Sequence, residues 1–342
     1  MKKTWVSMVA LTSLFAGALN VSAQTTGDYI IDEVVDWPIQ EKVESSTVES
    51  EFDESQLVID ETNILSLDLS ENQLTQINIA IDTYQSAFDQ LGLFVQISDN
   101  IIHFEVNQED AATFQMPAAS VIKLFILVDY YHQVAEGTLD PNDMYTLNEA
   151  DIVGGSGALQ GLPIGSEHSY QTLAELMIQV SDNTATNVII DKLGGLEQVS
   201  ENIQSYGFLQ TELNRYMMDQ YAIDAGDDNL TSAIDVANLL LAAVNGYING
   251  PQLDAEMLEV LSQHGPVKQA RDLSNERSYY GKTGEYPAEG VENDALLYFI
   301  ETDEGDIPVI LISLTQGDNS EAQINAMADF GVEIERIITE EE

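Results

Sequence analysis

The chain is 342 residues long, room for one large domain or two small ones, and carries 59 Asp and Glu against 11 Lys and Arg, a formal net charge of −48. So acidic a surface repels nucleic acid and anionic lipid, which removes both as partners, and its self-repulsion calls for a salty, screening medium of the kind a halophilic protein meets. With no cysteine anywhere, disulfides, thiolate metal sites and cysteine-linked lipid anchors are closed.

The scarcity of basic side chains makes each lysine held in an apolar or glycine-rich segment informative. Lys2 and Lys3 precede an apolar run from Trp5 to Leu19, and Val21-Ser22-Ala23 supplies small residues for cleavage. Residues 1–23 therefore read as a signal peptide, too short for a lasting membrane span, and the mature protein is expected to be secreted, with no stable membrane insertion. Residues 24–68 show no period able to bury a face and read as an acidic, flexible tether, spacing the folded part from the cell surface or wall.

From Glu71 the pattern changes. Ile77, Ile81, Tyr84 and Phe88 recur at helical spacing up to Leu91-Gly92. Leu93–Ile97 and Ile101–Val106, separated by Ser98-Asp-Asn, read as a hairpin, and Ala295–Ile300 with Ile307–Leu314 as a second pair. The middle is helical in pattern over 120–134, 172–179, 183–193, 196–206, 231–244 and 253–261, and a last helix runs over 320–338. Terminal strands around a helical centre predict an α+β domain over 69–342. An antiparallel sheet of about five strands is expected, with terminal helices against it and an all-helical region (about 119–262) inserted between the strand pairs. The working site is then expected in the seam.

Three short motifs fall on that seam. Ser120 opens the apolar helix that contains Lys123, so the serine lies beside exposed amides at a positive dipole end and the lysine returns to the same side. Desolvation among leucines would lower the Lys123 pKa until it accepts the serine proton. Ser181-Asp182-Asn183 follows an apolar helix; Ser181 is placed to relay a proton and Asn183 to grip a substrate amide carbonyl. Lys282-Thr283-Gly284 fits an edge strand lining a cleft, in which Lys282 attracts an anion, Thr283 holds a carboxylate and Gly284 lets substrate approach the backbone. Each motif also has a bland reading: a capping serine with a snorkelling lysine, a helix cap, a solvated lysine in a turn.

Together, in this order and about 60 and 100 residues apart, the three motifs resemble the serine penicillin-recognising enzymes, within them the class A β-lactamase-like branch. The likeness covers about residues 72–340, supported by Gly154 to Gln160, by Ser181 to Asn187, by Gly194-Gly195 and Gly207, and by Thr231-Ser-x-x-Asp235. It implies a β-lactamase/transpeptidase-like fold with Ser120 as nucleophile, Lys123 as its proton acceptor and Ser181 as the shuttle to the leaving nitrogen. Asn183 would order the neighbourhood, Lys282 and Thr283 anchor a substrate carboxylate, and the amides of Ser120 and Glu285 form the oxyanion hole. No cofactor or metal is implied. The partner implied is a small-molecule β-lactam or cell-wall peptide, and the protein is expected to be a monomer.

The sequence departs from the family at one loop. β-Lactam-hydrolysing members activate the deacylating water with a glutamate on an omega-shaped loop that begins with an arginine. Gly207 sets the register that puts Arg215 at that arginine, Met217 at the glutamate and Tyr221 at a following asparagine. A shifted register through Glu212-Leu213-Asn214 leaves Gln210 in the glutamate's place and rescues nothing. Asp219 is the nearby carboxylate offered as a replacement base. The function expected is an exported serine hydrolase that forms an acyl-enzyme on Ser120 and deacylates slowly. A cell-wall D,D-peptidase or esterase, and a non-catalytic cell-wall or β-lactam binding module, are the alternatives.

Overall fold

The computed structural model describes residues 67, 69–98, 100–106, 114–264, 267–274, 276–302 and 305–340. The expected signal peptide lies outside the described residues, and so does the expected tether apart from Leu67, whose amide donates to Ser98 Oγ.

In chain order the strands are β1 (Gln90–Ile97), β2 (Asn100–Val106), β3 (Met116–Pro117), β4 (Met144–Thr146), β5 (Glu167–Ser169), β6 (Leu230–Thr231), β7 (Tyr279–Tyr286), β8 (Val291–Thr302) and β9 (Gly305–Gln316). The helices are α1 (Glu71–Gln85), α2 (Ile122–Ala135), α3 (Tyr170–Gln179), α4 (Asn183–Lys192), α5 (Leu196–Ser205), α6 (Gln220–Ala225), α7 (Ala233–Val244), α8 (Pro251–Ser262) and α9 (Ser320–Thr339). The main sheet has five strands in the order β2-β1-β9-β8-β7, every neighbouring pair antiparallel. The α+β class and the five-stranded antiparallel sheet are those expected from the sequence.

Alternation along the central strands sends side chains into two cores. Phe94, Leu297, Ile310, Ile312 and Leu314 meet the helical region, while Leu93, Val95, Leu296, Val309 and Leu311 meet α1 and α9. Full burial of each such side chain contributes about 1.5–3 kcal/mol, so both faces of the sheet are held by apolar area. α2 is the axis of the first core: every residue from Ile122 to Tyr131 is buried, the signature of a helix surrounded on all sides.

One boundary differs from the periodicity. The helical pattern through Phe88 and Leu91 outlasts the helix, which ends at Gln85; β1 begins at Gln90. Phe88 and Leu91 bury themselves in the same cluster as Ile77, Ile81 and Tyr84, so the apolar spacing persists while the backbone changes from helix to strand.

Candidate active site

Ser120 sits in a 3₁₀ turn (Ala119–Val121) that runs directly into α2, one turn earlier than an α-helical start. Ala119 before it is held at φ +45°, and Ser181 across the cleft at φ +53°. Non-glycine residues in this left-handed region carry a strain of about 1–3 kcal/mol each, which persists only where surrounding contacts impose it. Both flank the place where the motifs converge.

β7 is an edge strand of the sheet and packs against the Ser120 turn. A Cβ added to Gly284 would lie 2.9 Å from the Ala118 carbonyl oxygen and 3.0 Å from the amide nitrogens of Ser120 and Val121. The bare face of Gly284 thus admits the nucleophile's own backbone. The result is that the Ser120 amide lies close to Gly284, the residue before Glu285 on β7.

Lys123 is fully buried. Its Nζ lies 2.7 Å from the Ser181 carbonyl oxygen, 3.1 Å from Ser181 Oγ and 2.8 Å from Asn183 Oδ1. Burial, and then the charge of Lys282, hold its pKa well below the usual lysine range, while Asp182 and Glu285 pull the other way. A shift in this direction, one turn from Ser120 and in contact with Ser181, is what a proton acceptor for a serine needs.

The Ser181 turn is fixed from below. Asp182, 1% exposed, caps α4 by accepting from the Ala185 amide and also accepts from the amides of Ala158 and Leu159. A Cβ on Gly157 would lie 2.4 Å from Asp182 Cγ, so the Gly154–Gln160 segment can close over this carboxylate only with glycine there. Asn183 is committed at both ends of its amide, Oδ1 to Lys123 and Nδ2 to the Gly154 carbonyl. That geometry gives it the ordering role and leaves a single amide hydrogen for a substrate carbonyl.

Lys282, also fully buried, donates to the Thr283 carbonyl at 2.9 Å. Burial lowers its pKa to about 7, with Glu285 opposing and Lys268 adding to the shift. A cavity of about 360 Å³ opens here, lined by Ser181, Thr283, Glu285, Lys268, His264 and the end of α3. The His264 ring takes the Thr283 amide on Nε2 (3.3 Å), so the Nδ1 hydrogen donates to the Ile178 carbonyl at 2.9 Å. Burial and the nearby Lys282 lower its pKa to about 4, which keeps the ring neutral. Among the described residues no group of three His, Asp or Glu is arranged to hold a metal.

With this geometry in hand, the comparisons with known proteins are consistent. The β-lactamase enzyme family model matches residues 74–337. The chain belongs to this class A β-lactamase-like family of serine hydrolases. Over 184 residues it is 24% identical to β-lactamase CARB-3 of Pseudomonas aeruginosa, a stretch that takes in 52% of this chain and 62% of that enzyme. The match thus spans about six-tenths of the curated relative's length. In three dimensions it is similar to the β-lactamase of Sphaerobacter thermophilus, with a TM-score of 0.65 and 25% identity, covering 77% of this chain and 97% of the other. It is similar also to a mutant of PBP-A in an acyl-enzyme complex with penicillin G: TM-score 0.61, 27% identity, 75% and 94% covered.

The family's omega-loop region can now be placed. Arg215 is buried and grips Asp228 through Nε (3.1 Å) and Nη2 (2.7 Å), while Asn229 accepts from the amides of Asn214 and Arg215 and donates back to the Arg215 carbonyl. Asn187 of α4 clamps Met217, accepting from its amide at 2.8 Å and donating to its carbonyl at 3.1 Å. In the register expected from the sequence, Arg215 takes the place of the loop's arginine and Met217 that of the glutamate. The Met217 side chain is buried in the first core, and the following Met218, at φ +63°, is half exposed.

Asp219, the proposed replacement base, is instead the N-cap of α6: its Oδ1 accepts from the amides of Tyr221 and Ala222, both at 3.1 Å. The structure brings Ser120, Lys123, Ser181, Asn183, Lys282 and Thr283 into one seam and assigns the Asp219 carboxylate to a helix cap. Sequence reasoning passed over His264, Lys268, Asn187 and the Glu285 side chain. Lys268 had a signal, the scarcity of lysines, and Asn187 closes the Ser181 motif already quoted; His264 and the Glu285 carboxylate had none.

Proposed function

We propose that the protein is an exported serine hydrolase that accepts the acyl group of a β-lactam or related cell-wall amide on Ser120 and releases it slowly. In acylation the Ser120 oxygen attacks the carbonyl and its proton passes to Lys123. The carbon–nitrogen bond then breaks, with Ser181 carrying a proton from Lys123 to the leaving nitrogen. The 3.1 Å contact between Lys123 Nζ and Ser181 Oγ supports that relay. The PBP-A neighbour, held as an acyl-enzyme with penicillin G, supports the substrate class.

One observation carries the slow-release reading: the position clamped by Asn187, where a family hydrolase holds its water-activating glutamate, is a methionine whose side chain is buried in the core. A thioether accepts no proton at neutral pH, and a positioned base contributes roughly 10²- to 10⁴-fold to such a step. Export of a monomer through residues 1–23, with action at or outside the cell wall, completes the proposal.

The test is intact mass followed over time after mixing with a penicillin. A one-to-one adduct that persists for many minutes is expected. A transient adduct with rapid loss of the drug marks an efficient hydrolase, an adduct that never decays marks a binding module, and no adduct sinks the β-lactam reading in favour of a peptidase or esterase.

A further inference from the structure

The cavity beside Ser181 is built to receive negative charge. Lys268, only 8% exposed, lines it together with Thr283 and Glu285, and the fully buried Lys282 lies next to Thr283 in the strand behind that lining. An ammonium kept this dry demands an anion near it. In this chain the anion is already present and belongs to the protein. Glu285 lies two residues after Thr283 on β7, so strand alternation sends both side chains to the same face. The Glu285 carboxylate stands 3.2 Å from Lys268 Nζ, with Thr283 and Lys282 nearby, and the Thr283 hydroxyl lies 3.2 Å from His264 Nε2. On its far side Lys268 is paired at 2.7 Å with Glu292, the cross-strand neighbour of Glu285.

Two consequences follow from the charges alone. A substrate carboxylate entering beside Thr283 meets the Glu285 carboxylate on the same face of the strand, and two like charges facing each other in a partly dry cleft repel. A substrate uncharged at that end meets a cleft whose lining lysine, Lys268, is already paired with Glu285 and Glu292. Glu285 also cannot readily step aside by taking a proton. Although burial works against it, Lys268, Thr283 and Lys282 together hold its carboxyl below the ordinary glutamate range.

We propose that Glu285 is the specificity-determining residue of the cleft: its carboxylate occupies the anion subsite and selects acyl donors that are neutral at the end bound by Thr283. This deepens the reading of the site as an acylatable serine and rests on it for the acyl donor, though not for the subsite itself.

The test measures acylation of Ser120 by benzylpenicillin and by its uncharged methyl ester, in the native protein and in Glu285→Gln. The ratio of the two rates, anionic over neutral, is expected to rise by at least about tenfold in the variant. A smaller rise, or a fall, overturns the proposal. The same pair of ligands is titrated calorimetrically against Ser120→Ala and Ser120→Ala/Glu285→Gln, where no covalent step intervenes and the same shift in relative affinity is expected. If no acylation occurs in any protein but the affinity ratio shifts, the acyl-transfer reading fails and the subsite assignment stands. If acylation proceeds and neither ratio moves, the subsite assignment fails alone. Glu285→Ala, which also removes the charge, guards against an effect peculiar to the glutamine.

Discussion

Lys123 Nζ lies 3.1 Å from Ser181 Oγ and 2.7 Å from the carbonyl of the same residue. A lysine on the buried face of α2 and a serine in a left-handed turn before α4 thus form one proton path, and the strain at Ser181 (φ +53°) is what aims its hydroxyl and carbonyl at the amine together. Acylation as proposed needs that amine to give up its proton, and burial, then the Lys282 charge, shift it in that direction.

Ser120→Ala should abolish adduct formation with a penicillin while leaving the thermal transition nearly unchanged, because Ser120 accepts no capping bond in the helix it precedes. An adduct that survives would reduce Ser120 to a turn residue. Lys123→Met should slow acylation by at least ~100-fold, the range for a positioned base. An unchanged rate in stopped-flow acylation would assign the proton transfer elsewhere.

The pH dependence follows from the two lysines. Lys123 is held well below the usual lysine range by burial and then by the Lys282 charge, so the ascending limb lies below the pH at which an ordinary lysine would deprotonate. Lys282 carries its charge below a pKa of about 7 and loses it above. Acylation by an anionic penicillin should therefore fall as pH rises through about 7, approaching tenfold per unit beyond it. In Lys282→Arg the guanidinium stays charged, and the descending limb should move beyond pH 9. A profile flat from pH 6 to 9 in the native protein would show that the Lys282 charge plays no part.

Asp182 offers a stability test. Its carboxylate satisfies three amides, those of Ala158, Leu159 and Ala185, in a nearly dry site. Orphaned buried donors cost about 1–3 kcal/mol each, so Asp182→Ala should lower stability by several kcal/mol in chemical denaturation and loosen the Gly154–Gln160 segment in hydrogen exchange. A loss under about 1 kcal/mol would mean that water replaces the carboxylate at no penalty.

Legibility in the sequence tracked how local the determinants are. Ser120 with Lys123, Ser181 with Asn183 and Lys282 with Thr283 are each set by spacing within one turn or one strand, and a lysine amid leucines stands out in a chain with 11 basic residues. The sheet was legible because the terminal strands are apolar on both faces. Glu285 was read for its amide alone: that its side chain turns onto Thr283 and Lys268 depends on a 3₁₀ turn at Lys268–Ala270 packing beside β8, and no spacing encodes that approach. Asp219 caps a helix for a local reason that was visible. An Asp just before Gln220-Tyr-Ala is a helix cap, and in so acidic a chain the capping residue is easily mistaken for a functional one.

Turnover is the decisive measurement. Hydrolysis of the acyl-enzyme needs a water oriented and deprotonated beside the ester carbonyl. Met217 supplies no base, and the Asp219 carboxylate is turned onto the amides of Tyr221 and Ala222. Lys123 is the basic group left at the nucleophile, and its lowered pKa lets it act once the proton taken from Ser120 has left through Ser181. Met217→Glu restores a carboxylate at the position Asn187 clamps, and single-turnover deacylation of a penicillin adduct should accelerate by roughly 10²-fold or more if the side chain turns out of the core toward the ester. Because a charged group at a site 6% exposed is costly to bury, the same variant is expected to lose stability. That loss separates an inward-facing glutamate from one that has simply swung into solvent. Asp219→Asn should leave deacylation within twofold of native while weakening the α6 cap by about 1 kcal/mol. Native protein that already clears penicillin at the pace of a working β-lactamase, and is crippled by Asp219→Asn, would show that the loop rearranges to bring that carboxylate in and that the base was relocated, not lost.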